Sequence, residues 1–419
     1  MDEVLTFEET RKYLKLSKSK LYQLVQKRKI PASKIGRIWR FRKAKIDEWL
    51  DKKVTEAIKV KDEPLLEHID KKDITRAGVT LEGIKISLRS RIKQYQKKAQ
   101  EIKEYLFKQP DQWGKFQEEF NSKLNYIFRQ IMEYEKEQVS LGRKDKVQKL
   151  KDFFIKKFRK SVFMHGVYGS WSIVKPLGYP GDYKIIDDIY QNNPTTTGFD
   201  RLFDNYFQMS AISIAVRNRK EDFKKIIINL AQRKPNENLR IMDIASGSCR
   251  EIKEIICLDG AIIKNIVFDC YDHEEKAITS AKKLLDGSSN LNFIKGNILR
   301  LCLANDINAK IKEKYDMIYA TGFFDYLSHR VCIKLIHNLR KLLKENGIIA
   351  ISNVREKYSN PSVHYMEWAG GWDLIYRTDE EFKKIFIEGG FNKDQLQIQY
   401  EQQGIMQYII AANSKGPGK

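Results

Sequence analysis

Residues 239–249 read LRIMDIASGSC. An apolar run ends in Asp243, passes through a turn of small residues and opens into a helical pattern from Arg250. Small side chains at such a strand-to-helix turn let the backbone approach a ligand closely. A second apolar run, IVFDCYD (266–272), ends in an acid 23 residues past Cys249. A carboxylate there is placed to accept both hydroxyls of a ribose, which makes Asp272 the expected ribose ligand. Asp269 competes for the role from inside the same strand. LNFIKGNI (291–298) supplies a third strand, whose end at Gly296, Asn297 and Ile298 is placed to bracket an adenine. YDMIYATG (315–322) is a fourth, and a helix over 331–343 leads through Asn346 and Gly347 to a fifth, IIAISN (348–353). Strands alternating with helices predict a parallel α/β sheet.

These ordered signals resemble the class I methyltransferases that use S-adenosylmethionine (SAM). The resemblance implies a Rossmann-like sheet and SAM as cofactor. It implies a site built from Asp243, Ala245 and Gly247 on the turn, Asp272 and His273 after the second strand, Asn297 and Ile298 after the third, and Thr321 and Gly322 after the fourth. The family turn carries three glycines; here Ala245 and Cys249 stand at the first and last. An NAD-binding Rossmann domain is the rival reading, and it requires a GxGxxG turn that this segment lacks.

Four further strings flank the site: KPLGYPGDY (175–183), AVRNR (215–219), GFFDYL (322–327) and HYMEW (364–368) with LIYR (374–377). They resemble the family of extracellular factor 3-hydroxypalmitic acid methyl ester biosynthesis, over roughly residues 160–412. Ala369, Gly370 and Gly371 depart from it, since bulkier residues are more usual there. The resemblance implies methyl transfer to a carboxylate oxygen of a hydroxy fatty acid or a similar small acid, an O-methyltransferase activity. A carboxylate is already ionised near neutrality, so the reaction needs positioning and exclusion of water and no strong base. An arginine suits bidentate docking of the acid. Arg217, Arg219 and Arg377 are the candidates, with Tyr179, Tyr183, Tyr326 and Tyr376 as hydroxyl or stacking partners. Asp182, Asp325 and Glu367 are placed to bind the SAM amino group or to hold those arginines. The catalytic set is therefore Tyr183, Arg217, Tyr326, Glu367 and Arg377, with Tyr179 and Asp182 beside the cofactor. The GYPGDY loop is expected to fold over the SAM pocket.

The first fifty residues have a different texture. A short helix from Phe7, a turn at Lys15–Ser17 and a second helix through Leu21, Leu24 and Val25 are followed by a break at Ile30-Pro31. KIGRIWRFR (34–42) is a strand pattern and residues 43–50 a closing helix. The stretch resembles the excisionase/MerR-type winged helix-turn-helix. That implies base and phosphate contacts from Ser17, Lys18, Ser19 and Tyr22 and backbone contacts from Arg37, Arg40 and Arg42 on the wing. Charge agrees with a polyanionic partner, DNA, for this half. Residues 1–160 hold 42 Lys and Arg against 24 Asp and Glu, whereas the remaining 259 hold 35 against 31.

The expected organisation is a winged helix-turn-helix over 1–52, a linker over 53–80, a helical region over 81–160, and a methyltransferase over 161–419 with a lid or substrate segment at 161–235. Apolar residues recur at helical spacing through Ile84, Ile86, Leu88 and Ile92, and again through Phe116, Phe120, Leu124, Ile127 and Ile131. Five cysteines without CxxC spacing and six histidines without a ligand pattern predict reduced thiols, no metal and a cytoplasmic protein. No segment has the length of a membrane span. The helical region is expected to serve as lid, spacer or dimer interface. A nucleic-acid methyltransferase is a second reading, opposed by the lack of an [ND]PP[YF] tetrad after the fourth strand. A SAM- or lipid-sensing transcription regulator is a third.

Overall fold

The computed structural model describes residues 4–14, 16, 18–26, 29–36, 38–49, 79–258 and 264–413. Ser17, Arg37 and the expected linker up to residue 78 lie outside them. The chain divides into two compact units, Met1–Gly78 and Val79–Lys419.

In the first unit, β1 (Val4–Thr6) precedes the helix Phe7–Tyr13, and β2 (Ser33–Ile35) and β3 (Ile38–Arg42) follow the helix Lys18–Gln26. A last helix spans 43–49. The first helix starts in a capping box: Thr6 accepts from the Glu9 N–H, and Glu9 accepts from the Thr6 N–H. The strand pattern over 34–42 folds as the two strands of the wing, because Gly36 turns the chain with φ of 61°. β1 was not expected; it pairs antiparallel with β3 to give the order β1-β3-β2. Leu5, Leu21, Val25, Ile30, Phe41 and Ile46 form this unit's core.

In the second unit, seven strands form one sheet: β4 (Leu239–Ile244), β5 (Ile266–Asp272), β6 (Leu291–Lys295), β7 (Tyr315–Ala320), β8 (Leu343–Val354), β9 (Leu396–Tyr400) and β10 (Met406–Ala412). Their spatial order is β6-β5-β4-β7-β8-β10-β9. β4 to β8 pair parallel with their neighbours, and β10 runs antiparallel to both β8 and β9. The direction of winding reverses between β4 and β7, so a crevice opens at their carboxyl ends, where such sheets bind ligands.

Strand residues alternate between two apolar layers, as a period of two requires. Ile241, Met317, Tyr319 and Ala350 face one layer; Met242, Ile318, Ile349 and Ile351 face the other. The second layer is closed by the helices His329–Arg340 and Asp379–Glu388. The first is continuous with the helical region: Leu88, Ile92, Phe120, Leu124 and Ile131 share one core with Phe223 and Tyr408. The helices Leu81–Lys108 and Gln117–Ser140 are thus packed into the same unit as the sheet. Ile86, read as a core position, is 62% exposed, because it lies off the stripe of Ile84, Leu88 and Ile92. Among the described residues no helix is long and apolar enough to cross a membrane.

Candidate active site

The turn after β4 is strained in a telling way. Ala245, Gly247 and Cys249 have φ of 55°, 55° and 53°. All three positions of the glycine pattern therefore adopt the left-handed conformation, and two do so with a side chain, at a cost of about 1 kcal/mol each. Asp272 braces this turn: its Oδ2 accepts from the Gly247 N–H at 2.9 Å and its Oδ1 from the Glu274 N–H at 2.9 Å. A carboxylate offers about four acceptor positions, so capacity remains for a ribose. The Gly296 N–H donates to the Asp272 carbonyl, which draws the end of β6 alongside. There Asn297 is exposed and caps the helix Ile298–Cys302 through the Arg300 N–H, while Ile298 is buried. His273 is exposed, its Nδ1 3.6 Å from Asp272 Oδ1. Asp269, the rival acid, is committed elsewhere. It accepts from Arg240, Asn292 and Tyr315 in the sheet interior.

Asp243 lies beneath the turn, buried, and its Oδ2 has no hydrogen-bond partner in the structure. Burial, with the nearby Glu251 charge, pushes its carboxyl well above the carboxylate range. Glu251 in turn accepts from the Tyr319 hydroxyl at 2.9 Å. Cys249 and Cys270 complete this cluster, their sulfurs and an Asp243 oxygen lying within 4.8 Å of one another. Sequence spacing gave no hint of the cluster, since it joins residues from two adjacent strands. Both thiols are free and pushed up, Cys249 first by its hydrogen bond with Cys270 and then by burial.

The GYPGDY loop reaches over the same crevice. Tyr179 stacks at a tilt on His273, centroids 6.0 Å apart, and burial followed by the Asp272 charge raises its phenol. Gly181, at φ of 70°, leaves no room for a side chain: a Cβ would stand 2.3 Å from the Tyr326 hydroxyl and 2.6 Å from Trp372. Trp372 Nε1 donates to the Tyr326 oxygen at 2.7 Å. Tyr183 backs Gly247, where a Cβ would lie 3.7 Å from its own. Asp182 caps the helix Tyr183–Gln191 by accepting from the Lys184 and Ile185 N–H groups, and its other oxygen accepts from Trp171. Its carboxylate is therefore occupied by the fold. One helical turn on, Asp187 accepts from Ser248 and pairs with Arg250, clamping this helix to the cofactor turn.

The three arginines part company. Arg217 donates to the Gln208 side chain and carbonyl and ties two helices together. Arg377 is buried and donates to the carbonyls of Phe324 and Leu327 and to Asn353. Both guanidiniums are engaged by the fold, which leaves them poorly placed to dock an acid. Glu367 is buried as well, accepting from Tyr376 at 2.7 Å and pairing with Lys357 at 2.9 Å. Lys357 also reaches Glu135, whose second oxygen is 2.7 Å from His364 Nε2. Burial raises the Glu135 carboxyl, but His364 and Lys357 outweigh it and hold the group at about 2. Arg219 alone stands at the crevice, against Gly322 at the end of β7 and 3.8 Å from Asp325. Thr321 and Gly322 follow β7 directly, and the Gly322 N–H donates to Ser352.

Next to the loop lies a narrow apolar cavity of about 30 Å³, walled by Phe163, Ile173, Ile189, Phe207, Tyr365 and Trp372. Ala369 and Gly370 also line it, so the departures in the HYMEW string fall on its wall. At its rim Arg159 donates to the Ala369 carbonyl and Lys175 to that of Gly371. Burial lowers both of their proton affinities.

In the first unit, Lys18 and Tyr22 are exposed on the second helix, and Ser19 lies in that helix. Arg40 and Arg42 alternate with buried Phe41 on β3 and so face away from the core.

Residues 4–54 match the family described as "Helix-turn-helix domain", and residues 235–407 match the one described as "Methyltransferase domain". No curated protein matches the chain. Among solved structures, one described as a possible exported protein from Bordetella parapertussis is 13% identical over 56% of this chain and 80% of its own, with a TM-score of 0.45. The magnesium protoporphyrin IX methyltransferase of Synechocystis PCC 6803, solved with S-adenosylhomocysteine, is 13% identical over 49% of this chain and 89% of its own, TM-score 0.37. Human N-acetylserotonin methyltransferase, solved with SAM, is 12% identical over 60% and 63%, TM-score 0.35. At TM-scores below 0.5 these likenesses establish neither fold nor activity for this chain. Two family matches, a seven-stranded sheet of this order and a cofactor turn at its switch point converge: the chain carries a helix-turn-helix domain followed by a SAM-dependent methyltransferase domain of the class I, Rossmann-like fold.

Proposed function

We propose that the second unit transfers the methyl group of SAM to a carboxylate oxygen of a hydroxy fatty acid or similar small acid, and that the first unit binds DNA. The observation that carries the acceptor reading is the apolar cavity beside the lid, with two cations at its rim. An amphiphilic acid matches both halves of that surface. With about 30 Å³ free, the cavity takes the tip of a chain, and a longer tail must part the surrounding helices.

Bound SAM would supply an activated methyl group to the carboxylate oxygen, with S-adenosylhomocysteine as the leaving group and no proton to be moved. Catalysis then rests on positioning and dryness. Asp272 would hold the ribose, Asn297 and Ile298 the adenine, and Tyr179, Tyr183 and Tyr326 would close the crevice. Support for a DNA partner comes from the outward Arg40 and Arg42, the exposed Lys18 and Tyr22, and the basic excess of the first 160 residues.

The test is methyl transfer from labelled SAM to 3-hydroxy fatty acids and, in parallel, to duplex DNA. Label in a methyl ester is expected. Label in DNA alone would overturn the acceptor assignment.

A further inference from the structure

The helix Val167–Val174 reads VYGSWSIV and carries no charged residue on any side. Its inner face belongs to the core: Tyr168 and Ser172 are buried, and Gly169, Ser172 and Ile173 line the apolar cavity. Its outer face is apolar as well. Val167 and Val174, two turns apart and so in line, are 42% and 58% exposed. Met164, just ahead of the bend at Gly166, is 40% exposed. A helix apolar all round is normally buried, so the outer side of this one calls for a partner. What stands beside it is charge. A helical run over residues 144–163 leads into it, and residues 143–160 hold nine Lys and Arg against two Asp. Both acids are occupied, Asp145 by Lys149 and Asp152 by Gln148. Lys156, Lys160 and Met164 follow at four-residue spacing, all exposed, and mark one side of that run. Seven of the 18 excess positive charges of residues 1–160 thus fall in the second unit, outside the helix-turn-helix.

We propose that this face, Lys156 and Lys160 with Met164, Val167 and Val174, docks on an anionic lipid surface. Such a surface selects apolar side chains that enter the acyl boundary beside cations that meet the phosphate headgroups. DNA would engage the lysines but gives no role to the three apolar side chains. A second copy of the chain would cover the apolar stripe but bring the two basic runs together. An anionic lipid surface answers both halves. Its use for catalysis rests on the fatty-acid reading of the acceptor. One helix separates the docked surface from the cavity, so an acid dissolved in the lipid would reach the site without crossing bulk water.

The full-length protein, without SAM or acceptor, is sedimented with vesicles of phosphatidylglycerol and phosphatidylcholine, and with vesicles of phosphatidylcholine alone. Binding to the anionic vesicles is expected, fading as salt is raised to about 1 M. Val167→Asp combined with Val174→Asp should lower the affinity by about 10-fold or more. Lys156→Ala combined with Lys160→Ala should lower it by about 30-fold, the scale of two cations leaving an anionic surface. These four side chains are exposed, so each pair of changes should keep the wild-type circular dichroism. Arg40→Ala with Arg42→Ala, in the first unit, should leave vesicle binding as it was. A wild type that ignores the anionic vesicles, or valine and lysine variants that bind them equally well, would overturn the proposal. A loss confined to the Arg40 and Arg42 variant would move the contact to the first unit. A loss of DNA affinity in the lysine variant, with vesicle binding intact, would make the stretch a nucleic-acid surface instead. A dimer that only the valine changes dissociate, again with vesicle binding intact, would assign the face to a second copy. Since neither SAM nor acid is present, failure here is distinct from failure of the methyl-transfer assay.

Discussion

The two ends of the central sheet treat their buried charges differently. Toward the amino ends of the strands, Asp269 in the middle of β5 has partners for both oxygens in Arg240, Asn292 and Tyr315. Asp316 beside it accepts from the Arg240 N–H and from Lys344. At the carboxyl ends, Asp243 Oδ2 and Arg219 Nε have none, and Asp325 stops short of a bond with Arg219. The degree of burial is the same at both ends, and the satisfaction of hydrogen bonds is opposite. The satisfied end serves stability; the unsatisfied end is ready for a ligand.

The sharpest way to break this contrast is to exchange the losses. Asp269→Ala takes the shared acceptor from Arg240, Asn292 and Tyr315 and leaves Arg240 only its 3.7 Å contact with Glu313; it should cost about 2–3 kcal/mol in denaturant unfolding, with SAM affinity unchanged in the folded fraction. A weak effect on stability would show that the amino end is not the anchor. Asp272→Ala should lower SAM affinity by about 100-fold or more and leave DNA binding intact; equal affinity would mean the ribose lies elsewhere.

The pH response separates the two roles within one residue. Burial holds Asp325 at about 6, above its ordinary 3.8, with Arg219 opposing the shift. Between those values the folded protein keeps a proton that the unfolded chain releases. The group's contribution to stability is therefore fullest below 3.8 and declines as pH rises to about 6. SAM affinity should run the other way, falling as pH drops below about 6. Calorimetry across this range, in the wild type and in Asp325→Asn, reads it directly; identical profiles would remove Asp325 from the site.

The smallest expected effect is at the turn. Cys249→Gly removes a side chain from a left-handed position and should leave stability within about 1 kcal/mol, with strain relief set against the lost burial of the thiol. A large loss in thermal unfolding would show that the thiol beside Cys270 matters more to the turn than its backbone does.

The strands that frame the cofactor were legible because both their faces are apolar and their ends carry acids. Residues 266–272 form β5 as read. β9 and β10 were not, since LQIQY alternates strictly but over only five residues, and nothing in MQYIIAA says that it lies between two other strands. The methyltransferase and helix-turn-helix readings agree with the family matches. Individual arginines were harder. Arg217 and Arg219 are two residues apart, hence on different sides of one helix, and only packing tells which meets the crevice. Arg377 is held by carbonyls at Phe324 and Leu327, some fifty positions away in the chain, which no local pattern reveals.

The place of β10 bears on how the chain is made. It follows every other strand in sequence, yet it sits inside the sheet between β8 and β9. During synthesis the edge of β8 stays unpaired until residues 406–412 emerge, and an open apolar edge is a template for association with other chains. Ribosomes that stall before that point would release a product prone to aggregate, with the cofactor turn already built and the sheet unclosed.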